Sequence, residues 1–328
     1  MEENYEKILW EGYGLRFFGG NRIRTGYLCK TDKEIVEIRK VNIEKNHILF
    51  EHELKQHLIK KGFCHISTFL ITKENLPYYV LDKDCYVAER PLETQPLDEE
   101  EKQTFIIGAK TLSKLHKSAK GLQSKQGYFS GEKRLEKYEK RRIELLKIKK
   151  RIEKQSSYTP LDLLIKQNFE YYIEKIEQAK ELFHQAQYCD IMQKATIEKT
   201  VCHNAFKGEN IQQDTNGVIF VTGFGKCSYD STVVDLALYL RRLLKKQQCD
   251  IQTAEKMLCV YEQEMPLSKQ DKILLLALLS YPEKFLSLCN EYYNKRRVCI
   301  SPAMIERMQL CIASIKENEK LLSWLKTI

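Results

Sequence analysis

The chain has 328 residues, 54 Lys and Arg against 45 Asp and Glu, a formal net charge of +9, and 43% hydrophobic residues. That length suffices for two lobes or domains, and the composition excludes extended disorder and low-complexity structure. Among functions, the charge alone points only to anionic partners in general.

Several localisation and redox signals are equally plain. The acidic opening Met1–Lys7 lacks the apolar segment of a secretory signal. The longest apolar run, Ile273 to Leu279, is too short to cross a bilayer. A cytoplasmic protein is therefore expected. The 11 cysteines are scattered and none forms a C-x-x-C pair, so they read as reduced, small apolar residues.

The first third reads as strands: Leu15–Phe18, Gly26–Lys30, Ile35–Val41, Phe69–Thr72, Tyr78–Leu81 and Tyr86–Arg90. Turn signals such as Gly19-Gly20-Asn21 and Thr31-Asp32-Lys33 separate them. One helix interrupts, with Ile48, Leu49, Leu54, Leu58 and Ile59 at helical spacing and Gly62 as its stop. From Asp98 helices take over. Phe105, Ile106, Ala109, Leu112 and Leu115 form one stripe. Leu135, Tyr138, Leu145, Ile148 and Ile152 form another, on a helix whose remaining face is nearly all Lys, Arg and Glu. A third helix is expected over Leu161 to Gln187, then a strand–turn–strand from Val201 to Phe224. Further helices follow over Val233–Lys246, Thr253–Glu264, Lys269–Leu279, Glu283–Lys295 and Pro302–Lys326.

A small sheet with one helix, followed by a larger helical lobe with a lone hairpin, is the layout of a protein-kinase-like α+β fold. The expected division is a β-rich lobe over 1–90 and a helical lobe over 91–328. The linker passes through Val87–Leu92, and a basic helix is inserted near 132–155.

Ordered segments give this layout a closer likeness. They are Gly20-Asn21-Arg22-Ile23-Arg24-Thr25-Gly26, Phe50-Glu51-His52-Glu53-Leu54, Lys61-Gly62-Phe63, Ile66–Thr72 and Tyr86-Val87. After them come Leu112–Ser118, Cys202-His203 through Asn210-Ile211, and Val234–Arg241. Over roughly residues 10 to 290 the chain resembles the aminoglycoside and choline phosphotransferase superfamily and, within it, the CotS family of spore-coat proteins.

The resemblance implies a catalytic loop of His-Gly-Asp, four residues, then Asn. Its Asp takes the proton of the substrate hydroxyl, while the Asn and an Asp on the next strand hold magnesium against ATP. Here the loop reads His203-Asn204-Ala205-Phe206-Lys207-Gly208-Glu209-Asn210. The spacing is kept, the base position is Ala205, and Gly223 stands where the second Asp is expected. Arg39 falls at the position of the ATP-binding Lys, with Lys40 one residue on and facing the other side of the strand. Glu51 or Glu53 would be its partner on the following helix. His203, His116 and Asp235 read as structural.

Each missing carboxylate removes about 3–4 kcal/mol of barrier lowering, on the order of a hundred- to thousandfold in rate. The expectation is a catalytically degenerate kinase-like protein with no cofactor. As the resemblance implies, it would be a structural or scaffold component of the spore coat, made in the mother-cell cytoplasm. Its partners would be other coat proteins, with no specific nucleic acid and no membrane span. The alternative is an active kinase of aminoglycosides, choline or sugars, using ATP and magnesium through Glu209, Asp214 or Asp230.

Overall fold

The structure is a computed structural model that describes residues 2–246, 250–294 and 301–328. Cys249, Lys295 and Cys299, which the sequence reading touches, lie outside the described residues. The chain forms two compact units, Met1–Tyr128 with Glu198–Tyr229 and Phe129–Ile197 with Asp230–Ile328. The sequence boundary at residue 90 marks where strands give way to helices, whereas these units follow where the chain packs on itself.

The first unit is built on an antiparallel sheet of β1 (Phe17–Arg22), β2 (Tyr27–Thr31), β3 (Ile35–Val41), β4 (Tyr79–Leu81) and β5 (Asp84–Glu89), ordered β1-β2-β3-β5-β4. Strand alternation sorts its faces. Val36, Ile38, Tyr86 and Ala88 pack with Ile8 and Leu9 from a segment that the strand and helix patterns do not announce. That segment is helix α1 (Glu2–Lys7) running into a π-helical turn at Ile8–Tyr13, with Tyr5 stacked on Tyr27 at 4.3 Å. Val87 turns the other way and packs with Phe69 and with Ile48 of α2 (Lys45–Lys60), the helix between β3 and β4.

Two expectations for this sheet are corrected. Gly19-Gly20-Asn21 is no turn but lies inside β1, and the chain reverses around Ile23–Gly26, where Ile23 N–H donates to Gly26 O. Gly20 is needed there because a Cβ would lie 2.3 Å from Leu28 O on the paired strand. Phe69–Thr72 is likewise no strand. The edge of β5 is paired by β4 from Asp84 to Tyr86, which leaves only a single bridge between Phe69 and Glu89 and a bond from Leu70 N–H to Ala88 O.

The same unit contains β6 (Gln95–Pro96), α3 (Lys102–Ala119), β7 (Val201–Cys202), β8 (Ile211–Gln213), β9 (Ile219–Val221) and β10 (Ser228–Tyr229), interrupted by helices of the second unit. The three strands order as β6-β8-β9, and β7 pairs with β10. His116 is buried in the last turn of α3.

The second unit is helical: α4 (Arg134–Glu153), α5 (Pro160–Gln185), α6 (Tyr188–Glu198), α7 (Val233–Lys246), α8 (Ile251–Glu262), α9 (Lys269–Ser280), α10 (Glu283–Asn294), α11 (Pro302–Ala313) and α12 (Ile315–Leu325). Its main core joins Leu145, Ile148 and Ile152 to Ile165, Phe169 and Tyr172, and Tyr172 stacks on Phe285 at 3.6 Å. Helix α5 starts on a capping box, Thr159 with Asp162, and Pro160 occupies its first turn. Buried Asp235 sits in the first turn of α7.

The segment expected as one helix to Gln187 continues as α6 after a break at Gln187, whose φ is +54°. The helix expected over Pro302–Lys326 divides at Ser314. By length and hydropathy Lys269–Tyr293 could cross a bilayer, but it consists of two helices separated at Tyr281-Pro282 and is mostly buried inside this unit. The described cysteines are all free.

Candidate functional site

Strand alternation points Arg39 of β3 toward α2. There it meets Glu89 at the end of β5, with the guanidinium 2.6 Å from the carboxylate and Glu37 3.8 Å away. Neither expected helix partner bonds it directly. Glu51 reaches instead to Lys55, one turn along α2, at 2.7 Å. The Lys55 ammonium also lies 2.8 Å from the second oxygen of Glu89. Glu53, two residues on from Glu51, projects from a different face of α2. Lys40 faces the other side of the sheet and pairs with Asp84 at 2.6 Å at the surface.

Arg39, Glu89, Lys55 and Glu51 thus form an alternating chain of two cations and two anions. Lys55 is its centre and is 1% exposed. Its ammonium sits over the Phe69 ring, 3.8 Å from the centroid, and 5.8 Å from that of Phe224. Burial alone would push Lys55 down and Glu89 up. The charges of Glu51 and Glu89 outweigh it at Lys55, which is raised, and those of Lys55 and Arg39 outweigh it at Glu89, which is lowered. Lys55 was not among the sequence candidates. The available signal is that Ile48, Glu51, Lys55 and Leu58 share one helix face, so a lysine stands in an apolar stripe.

The catalytic-loop segment lies in the same unit. His203 is fully buried, with Nε2 2.9 Å from Thr222 O. Its Nδ1 accepts from Ala205 N–H at 3.2 Å, which fixes the proton on Nε2. The ring meets Phe224 at 4.7 Å, edge to face. Asn204, at a φ of +58°, donates to Lys226 O and Ser228 Oγ, so its amide faces away from the base position. Ala205 offers its carbonyl to the Asn210 side-chain N–H at 2.8 Å.

The same Asn210 amide borders residue 223. Gly223 has a φ of +76°, and a Cβ built there would lie 2.6 Å from both Cγ and Nδ2 of Asn210. The position expected for a metal-binding aspartate is thus a left-handed glycine whose side-chain space holds an asparagine.

Three carboxylates are the candidates to substitute. Glu209 pairs with Lys207 and stands 3.6 Å from Arg24 on the β1–β2 hairpin. Asp214 accepts from Asn216 and Val218 N–H and holds the β8–β9 turn. Asp230, in the second unit, is fully buried and accepts from Arg134 and Ser130. A fourth carboxylate went unnoticed in the sequence: buried Glu99 accepts from Gly208 N–H at 2.7 Å, inside the loop.

A family model described as "Spore coat putative kinase YutH" matches residues 6–325. Among solved structures, an aminoglycoside phosphotransferase from Alicyclobacillus acidocaldarius superposes with a TM-score of 0.84 at 14% identity, covering 95% of this chain and 92% of that one. The AMP-bound spectinomycin phosphotransferase APH(9)-Ia gives 0.67 at 13% identity, with 96% and 97% covered. Choline kinase LicA from Streptococcus pneumoniae gives 0.50 at 18% identity, with 96% and 99% covered. At these identities the likeness is one of fold, and the fold is that of the protein-kinase-like phosphotransferases.

Proposed function

The chain belongs to the YutH family of kinase-like spore-coat proteins, and from that premise we propose that it keeps the phosphotransferase fold as a coat scaffold without transferring phosphate. The observation that carries this reading is the Gly223–Asn210 contact. Phosphoryl transfer depends on carboxylate and amide oxygens converging on a metal ion. Here residue 223 has no side chain, and the Asn210 amide fills its place while donating to Ala205 O. The residues present do not fit magnesium.

Two further features support the reading. Ala205 has only a methyl group where a proton acceptor is required. Arg39 stands where the ATP-binding lysine is expected, and its guanidinium is engaged by Glu89; an arginine does not substitute cleanly for that lysine. Assembly into the coat, starting from the mother-cell cytoplasm, is the role proposed for the retained fold.

A phosphotransfer assay with ATP and magnesium, run with aminoglycosides, choline and sugars, tests this. Ordinary kinases turn over at about 1–100 per second. Turnover here is expected to be slower by a factor of at least about a hundred, the worth of one missing group, since groups that act as a unit do not contribute additively. Magnesium-dependent turnover that disappears in Glu209→Gln would overturn the proposal. In parallel, ATP is expected to leave the melting temperature unchanged. A ligand present at 100 times its Kd would stabilise the folded state by about 2.7 kcal/mol.

A further inference from the structure

Helix α4 sorts its cations by side-chain type. Three of its four arginines are ion-paired within the unit: Arg134 with Asp230, Arg141 with Glu144 at 3.1 Å, and Arg142 with Glu139 at 2.7 Å and Glu177 at 3.5 Å; the fourth, exposed Arg151, donates to Tyr293 O at 3.4 Å. Lys149 joins them by pairing with Glu170 at 2.7 Å. These interactions occupy the acids in the middle of the helix. The buried face, with Leu145, Ile148 and Ile152, packs on α5 and α10.

The remaining lysines behave differently. Lys133, Lys137, Lys140, Lys147, Lys150 and Lys154 are all exposed and form no ion pair among the described residues. Lys133, Lys140, Lys147 and Lys154 recur at seven-residue intervals, so they fall about 10.5 Å apart along an array of about 32 Å. A helix drifts only about 20° per seven residues, which keeps the four on one gently winding stripe. Ile143, 41% exposed, lies between Lys140 and Lys147. Two acids flank this face, Glu136 near its N-terminal end and Glu144, which Arg141 engages.

We propose that this stripe docks an acidic α-helix of a partner protein, one carrying Glu or Asp at seven-residue intervals beside an apolar residue that meets Ile143. The complementarity is one of period as well as sign, because two helices lying side by side bring flanking charges into register every seven residues. The face is less suited to other anions. Three of the helix's guanidinium groups, the forks that read bases and phosphates bidentately, are held by carboxylates, and the fourth, that of Arg151, lies over the Tyr293 ring. The face has no aromatic residue for base stacking and no apolar flank for insertion into lipid. Individual exposed pairs contribute little, so recognition rests on the whole ladder and weakens with salt.

The test uses the full chain and a synthetic helical peptide of four heptads, with Glu at one position of each heptad and Leu beside it. A peptide of the same composition in scrambled order, a 25-base-pair DNA duplex and anionic phospholipid vesicles serve as the competing probes. Fluorescence anisotropy at low salt should show the ladder peptide binding at least about tenfold more tightly than the scrambled one. K140E/K147E should weaken it about tenfold or more, and K140Q/K147Q by less. These exposed changes should leave the melting temperature in place, which separates lost docking from lost folding. Equal binding of both peptides, tighter binding of duplex or vesicles, or no binding at all would overturn the proposal.

Discussion

Lys55→Met is expected to destabilise the sheet-bearing unit by about 3–5 kcal/mol, the cost of orphaning charge in a buried ionic network. Glu51, 4% exposed, would lose its bonded cation, and Glu89 would keep only Arg39. The thioether fills much of the space of the lysine stem, so the loss is electrostatic rather than a cavity effect. Two double variants separate the contributions. Adding Glu51→Gln removes the orphaned anion and should recover about half of the loss. Adding Glu89→Gln instead leaves Arg39 short of its main partner and should recover nothing. Urea unfolding, with hydrogen exchange along α2, measures both, and a single-variant loss below about 1 kcal/mol would refute the assignment.

The network also gives stability a pH signature with a definite sign. Glu89 is held below its unfolded value, so its contribution is present above the ordinary carboxylate range and is lost as pH falls through its folded value. Lys55 is held above its unfolded value, so its contribution is complete below the ordinary lysine range and is lost as pH rises through its folded value. Stability should therefore fall at both extremes in the native chain. In Lys55→Met the alkaline loss should shrink, because no titrating ammonium remains in the network.

What the sequence discloses about this site, and what it withholds, follows from the range over which each signal acts. Alternation along β3 is local, and it correctly separates Arg39 from Lys40. The partner of Arg39 is Glu89, fifty residues away, and a pattern read over neighbouring residues cannot supply it. Glu51 and Lys55 look like one of many surface pairs a turn apart. Only the packing of Phe69 and Phe224 makes that pair an interior one. Around the loop, the spacing from His203 to Asn210 places the segment, and Ala205 and Gly223 are visible as residue types. The rotation of Asn210 into the space beside Gly223 depends on backbone angles that residue identity does not fix. The glycine pair at 19 and 20 misleads for the opposite reason: glycine permits a turn, but at Gly20 its smallness is used for strand contact.

The rotation of Asn210 makes Gly223→Asp the second change with a large expected effect. Restoring an acidic residue would ordinarily be regarded as repair. Here the backbone at 223 is left-handed, which costs a residue with a Cβ about 1–2 kcal/mol. The new Cβ would also sit 2.6 Å from the Asn210 amide, an overlap of the kind that costs about 1–3 kcal/mol to relieve. Gly223→Asp should therefore destabilise the unit by about 2–5 kcal/mol and restore no magnesium-dependent turnover, alone or with Ala205→Asp. The overlap is testable by itself. Asn210→Ala vacates the space but removes the bond to Ala205 O, so it should cost about 1 kcal/mol alone. In the double variant it should then reduce the cost of Gly223→Asp by 1 kcal/mol or more, a coupling that a thermodynamic cycle reads directly. Strictly additive effects would mean that the two side chains do not compete. Tighter magnesium binding by Gly223→Asp with Asn210 intact would mean that the loop still accepts the ion.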